Sequence, residues 1–169
     1  MESIQFGRWE LICDPDRTRR SYAAVTIGGP EECGCDPCLN FVAARRQIYP
    51  LDALELFERL GISRDREVEI YHMARLAPGR HLYGGWFHFV GSIVSGADAA
   101  KQIAENTWQP ALERMSESFS LGFTSRVELV REPFNNLPLV QLEFTAEVPW
   151  ILEKTEPNQY MRGSVVGDT

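Results

Sequence analysis

The chain has 169 residues, enough for one domain with its own core, since single domains commonly run to ~100–200 residues. At 44% hydrophobic and 24% charged residues it reads as an ordinary globular protein that needs neither disulfides nor metal merely to fold. A net charge of −7 disfavours a sequence-independent grip on nucleic-acid phosphates, and the basic clusters Arg17/Arg19/Arg20 and Arg45/Arg46 are too short to reverse that.

The first residues, Met1-Glu2-Ser3-Ile4-Gln5, lack the basic and apolar regions of a secretory signal, and the longest apolar run, Trp86 to Val94, is too short to cross a bilayer. The expectation is a cytosolic protein without membrane contact, in a compartment where thiols stay reduced.

In chain order, residues 4–13 read as a strand bulged at Gly7, and Asp14-Pro15-Asp16 as a turn. A second β-rich run, Tyr22 to Ile27, would complete a hairpin ended by Gly28-Gly29-Pro30. A helix is expected from about Asp36 to Ile48, capped by Asp36 with Pro37 in its first turn. Leu39, Val42 and Ala43 would face the core, and Arg45 and Arg46 the solvent. A second helix, Leu51 to Leu60, places Ala53, Leu56, Phe57 and Leu60 on one face, with Gly61 closing it.

Residues 67–77 and 81–95 suit a hairpin across Pro78-Gly79. Residues 97–106 give a weak helical pattern. Alternation at 119–129 and again at 140–150 marks a final antiparallel hairpin, and from Glu153 the pattern fades into a polar tail, 153–169. The order fits a single α+β domain over 1–152, an antiparallel sheet of about six strands with two or three helices on one face.

Three of the four cysteines fall in Glu32-Cys33-Gly34-Cys35-Asp36-Pro37-Cys38, directly before the first strong helix start. Cys-x-Cys-x2-Cys offers three soft thiolates to one tetrahedral ion, which favours zinc and calls for a fourth ligand. Cys13 would stand at the far end of the first hairpin and reads as a small core residue. Of His72, His81 and His88, the last is the preferred ligand. Gly84, Gly85 and Gly91 clear space around its strand, and Trp86 and Phe89 would keep a thiolate site dry. Whether His72 and His88 share a face depends on the turn: a three-residue loop puts them together, a two-residue loop on opposite faces. The expected centre is therefore Cys33, Cys35, Cys38 and His88 around zinc, a closed site that pins the loop to the sheet.

Two other readings use the same residues differently. Cys35-Asp36-Pro37-Cys38 at a helix start is similar to the thioredoxin-type redox motif, with Cys35 as nucleophile and Cys38 as resolving thiol. Tyr83, Trp86 and Phe87 can instead form an aromatic surface for a ligand or partner, a homodimer being the simplest case. Paired carboxylates such as Glu31/Glu32 and Glu67/Glu69 read as solvated. The combination Glu-Cys-Gly-Cys-x-x-Cys-x-Asn-Phe with Tyr-Gly-Gly-Trp-Phe-His-Phe-Val-Gly, over about residues 31–95, resembles a bacterial family of hypothetical proteins and implies no activity.

Overall fold

A computed structural model describes residues 1–158. Everything is arranged about one 16-residue strand, β4 (Arg80–Ser95), preceded across Pro78-Gly79 by β3 (Glu69–Ala77). Along one edge β4 pairs antiparallel with β9 (Leu139–Pro149), from Arg80↔Pro149 to Val90↔Leu139 without a break. Its other edge changes partner midway: β3 covers Arg80 to Trp86, and β2 (Trp9–Cys13) covers Gly91 to Ser95. The sheet continues on the β2 side with β1 (Glu2–Phe6), and on the β9 side with β8 (Phe119–Thr124) and β7 (Glu113–Arg114). A separate hairpin, β5 (Ala100–Ala104) and β6 (Thr107–Pro110), stands where a short helix was expected. The α+β class and the antiparallel sheet are as the sequence indicated.

The change of partner leaves the His88–Val90 backbone without a strand neighbour on that edge, and unpaired buried peptide groups are costly. Helix α1 (Pro15–Ala23) supplies the missing groups. The Tyr22 hydroxyl donates to His88 O (2.8 Å) and accepts from His88 N (3.2 Å). Thr18 Oγ1 accepts from Val90 N at 3.0 Å, and Asp14 N donates to Val90 O at 2.9 Å. This helix replaces the strand expected at 22–27. Asp14-Pro15 is an N-cap followed by a first-turn proline, Arg17 N donating to Asp14 Oδ1 at 2.9 Å, and not a turn between strands. The first hairpin is tighter than expected: residues 4–13 divide into β1 and β2 around Gly7, whose φ of 52° makes the turn.

Residues Gly29–Cys33 form α2, Asp36–Ala44 α3 and Leu51–Leu60 α4, with a 3-10 turn at Arg45–Gln47 where the helix was expected to continue to Ile48. Helix α4 buries Ala53, Leu56, Phe57 and Leu60, the face its spacing predicts. Helix α3 is rotated from its expected face, burying Pro37, Cys38, Asn40, Phe41 and Ala44 while Leu39 is 38% exposed. Asn40 explains the rotation. Its Nδ2 donates to Pro149 O (2.9 Å) and its Oδ1 accepts from Ile151 N (2.8 Å), so a polar residue ties α3 to the end of β9.

The core lies between these helices and the sheet face carrying Tyr83, Phe87, Leu142 and Phe144. Phe57 meets Phe87 with ring centres 5.0 Å apart, Phe41 meets Tyr83 at 5.7 Å, and Phe119 stacks on Phe144 at 5.6 Å. Tyr83 and Phe87 are fully buried here, so they form no exposed aromatic surface; Trp86 points to the opposite face beside Tyr71.

Arg45 and Glu67, expected to be solvated, are not. Both Glu67 oxygens are taken, by Arg45 Nε (3.0 Å), Arg45 Nη2 (2.7 Å) and the Tyr49 hydroxyl (2.6 Å), and Arg45 Nη1 reaches Glu31 at 2.7 Å. Burial pushes the Glu67 carboxyl up, and the Arg45 charge opposes it. Of the expected tail, residues 153–158 are held to the domain by Lys154–Asp36 (2.6 Å), Arg75–Glu156 and Arg75–Asn158 contacts; residues 159–169 lie outside the described residues.

Candidate metal centre

The three clustered cysteines come from one helix end, one turn and one helix start. Gly29 docks the first turn of α2 on the strand that enters the sheet, its N–H donating to Glu67 O at 2.8 Å. A Cβ there would stand 2.2 Å from Val68 O, so only glycine permits the approach. Cys33 is the last residue of α2. Gly34 follows in the left-handed region at φ 64°, its N–H closing the helix on Pro30 O at 3.0 Å. The chain then turns back through Cys35, extended at φ −72°, ψ 161°, which occupies the N-cap position expected for Asp36. Cys38 sits one turn into α3, facing Ile70 O of β3 at 3.9 Å.

This path brings the Cys33, Cys35 and Cys38 sulfurs within 4.8 Å of one another. Thiolates on one tetrahedral zinc, each ~2.3 Å from the ion, stand roughly 3.8 Å apart, so small side-chain rotations suffice to close the set. Cys38 is buried, whereas Cys33 and Cys35 are exposed. The hydrogen bond from Cys35 N–H, followed by those from the Cys35 and Cys38 thiols, lowers the Cys33 thiol pKa. Burial, then the neighbouring thiols, raises that of Cys38. The acidified thiol thus lies outside the Cys-x-Pro-Cys pair of the redox reading. Cys13 is wholly buried at the end of β2 with its sulfur 3.6 Å from Glu2 O, and it is not part of the cluster.

The structure does not bring His88 to the thiols. The turn between β3 and β4 has two residues, and although β3 slips register twice, His72 ends opposite Tyr83. His72 and Tyr83 therefore share one face and His88 takes the other, because β4 runs against β9 without a bulge from 80 to 90. The thiol side is the Tyr83 side: its hydroxyl donates to Pro37 O at 3.1 Å, between Cys35 and Cys38. Burial pushes that hydroxyl up to about 12, the Asn40 hydrogen bond opposing and Cys38 and Cys35 adding to the rise. His88 instead donates from Nε2 to Gln141 Oε1 (3.3 Å), with Phe134 edge-on to its ring at 6.1 Å.

A group that the sequence reading left without a role lies on the thiol side. His72 Nε2 and His81 Nδ1 are 2.8 Å apart, and His81 Nε2 is 2.9 Å from Glu156 Oε2. His72 also meets the Tyr83 ring edge-on at 5.2 Å. The two histidines meet only because β3 shifts register twice, which turn length alone does not reveal. Glu156 had no signal either, since it belongs to the segment read as tail. Elsewhere, a groove of about 730 Å³ between α1 and α4, lined by Arg19, Tyr22, Phe57 and Arg66, holds no cysteine. No helix among the described residues is long and apolar enough to cross a membrane.

No family model matches the chain, and no curated protein or solved structure matches it.

Proposed function

We propose that this protein binds one zinc ion through the thiolates of Cys33, Cys35 and Cys38, and that the ion fixes the α2–α3 junction against the edge strand β3. The observation that carries the reading is the convergence of three sulfurs within 4.8 Å on a path built from two helix termini and a left-handed glycine. A disulfide would use two of these thiols and leave the third without a role, whereas a tetrahedral soft-metal site uses all three. Zinc is favoured because tetrahedral thiolate-rich sites completed by a thiolate or imidazole are its ordinary structural sites. The role is structural: the metal adds binding energy to a junction whose own apolar burial is small, Cys33 and Cys35 being exposed.

Elemental analysis of protein purified without a nickel column tests this. About one zinc per chain is expected from such a site, and less than ~0.2 refutes it. Thiol-alkylation protection that is lost on adding a chelator separates bound metal from a disulfide, which a chelator leaves intact and a reductant opens.

A further inference from the structure

The hydrogen-bond chain Glu156–His81–His72 runs from a carboxylate into the side of the sheet that faces the thiols, and the carboxylate fixes its direction. A carboxylate accepts only, so His81 Nε2 carries the proton that it shares with Glu156 at 2.9 Å. With the proton of the His81–Glu156 contact on Nε2 and none on Nδ1, the His81 Nδ1 accepts from His72 Nε2–H at 2.8 Å, the arrangement on which the following inference rests. What is left is His72 Nδ1, a bare lone pair. That atom is buried and has no hydrogen-bond partner among the described residues. A buried acceptor left unmade is costly, so a structure that orients one through two preceding hydrogen bonds calls for an occupant.

Its surroundings point to a metal. The two nitrogens of an imidazole face nearly opposite ways, so Nδ1 looks away from His81 and hence away from the Pro78-Gly79 turn. Two residues before His72 on the same face of β3 is Ile70, whose carbonyl is 3.9 Å from the Cys38 sulfur. Tyr83 bridges the same interval, touching the His72 ring and hydrogen-bonded to Pro37 O. A carboxylate that orients a histidine so that its other nitrogen meets a metal is the ordinary outer support of zinc sites; here a second histidine extends it.

We infer that His72, through Nδ1, is the fourth ligand of the ion held by Cys33, Cys35 and Cys38, with His81 and Glu156 as its positioning residues. The inference rests on the zinc reading above. His72 Nδ1 lies outside the 4.8 Å group of sulfurs, so binding draws the thiols and the imidazole together. The exposed Cys33-Gly34-Cys35 turn is the part free to move, Cys38 being anchored in α3. Thiol protons leave to solvent on binding, and the imidazole, already unprotonated at Nδ1, releases none.

Cobalt titration of the full chain and its variants tests this. The wild type should give a visible spectrum of one imidazole and three thiolates around a tetrahedral ion. His72→Ala should lose that spectrum and bind zinc more weakly than wild type by at least the ~10–100-fold that loss of an outer support costs, with His81→Ala weakened by about that factor. His88→Ala should behave as wild type. Should His72→Ala unfold, wild-type protein with 15N-labelled histidines and bound 113Cd serves instead, and coupling between cadmium and His72 Nδ1 is expected. Unchanged cobalt spectra and zinc affinity in His72→Ala, or cadmium coupled to no His72 nitrogen, overturns the assignment and leaves a three-thiolate site standing. A wild type that binds no metal overturns the zinc reading itself.

Discussion

Helix α3 and the turn that follows it carry a polar cluster at each end, and the two are built on opposite principles. At the C-terminal end Arg45, Glu67 and Tyr49 satisfy one another: Glu67 is buried to 1% exposure and each of its oxygens accepts at least one hydrogen bond, so that only Glu31 Oε2, on the outer carboxylate of Arg45, has no partner among the described residues. At the N-terminal end Cys33 and Cys35 are exposed, and His72 holds a buried nitrogen with no partner among the described residues. A cluster whose one orphan atom is a single carboxylate oxygen gathers no ligand set and serves the fold. A cluster with three gathered sulfurs has donors left over and can hold a metal ion. Burial of charge alone does not mark a site; unsatisfied donors that converge do.

The sharpest way to break that contrast is to remove Glu67. Glu67→Ala leaves the Arg45 guanidinium, whose side chain is only 13% exposed, with Glu31 as its remaining carboxylate, and breaking a buried pair from one side costs ~3–5 kcal/mol. Urea denaturation should show a loss of that size, while the folded fraction keeps its zinc. A loss below ~1 kcal/mol, the range of a surface pair, would mean that the cluster is solvated and the contrast unfounded.

Metal removal acts on the other end and should be local. At free zinc ~100 times the dissociation constant, binding adds ~2.7 kcal/mol, all of which a chelator withdraws. Hydrogen exchange should then quicken through residues 28–40 and along β3, while β4, β9 and the amides about Tyr49 and Glu67 keep their protection. Uniform loosening of the whole sheet would instead make the ion part of the core's cooperative unit.

What the sequence disclosed follows the same division. Elements whose apolar residues keep one period were legible: α4 and the 67–95 hairpin came out at nearly their observed bounds, and the last hairpin did too except that its first strand stops at Thr124 where alternation was read on to 129. Elements held by polar side chains were not. Helix α1 was missed: its start was read as a turn because Asp14-Pro15 serves equally as a turn and as a cap, and its end as the beginning of a strand because Tyr22 is buried for its hydroxyl's bonds to His88. The face of α3 was misjudged because Asn40, not Leu39, is the buried residue. For the site, ligand spacing in Cys33, Cys35 and Cys38 is a local property and was visible. The choice among histidines depends on parity across a hairpin with two register shifts, which no local pattern encodes.

The mildest probe asks whether the closed kind of cluster also holds the sheet's other face, where His88 sits with Gln141. Burial lowers the His88 pKa, with the Gln141 hydrogen bond opposing. The folded chain therefore resists protonation at this ring, while the unfolded chain accepts a proton near the ordinary histidine value of ~6.5. Below that value the unfolded state binds more protons, so stability rises with pH and is lost on acidification, over a window from ~6.5 down to the lowered folded value. The slope contributed is at most ~1.4 kcal/mol per pH unit. His88→Gln cannot titrate, so between pH 7 and ~5.5 it should lose less stability than the wild type, by an amount within that limit. The comparison is made on metal-free protein, so that proton release by the cysteines does not enter. Equal pH slopes for the two proteins would show that His88 is wet and titrates as freely folded as unfolded. In that case the face opposite α3 is open, and the closed cluster at Glu67 is peculiar to the helix side.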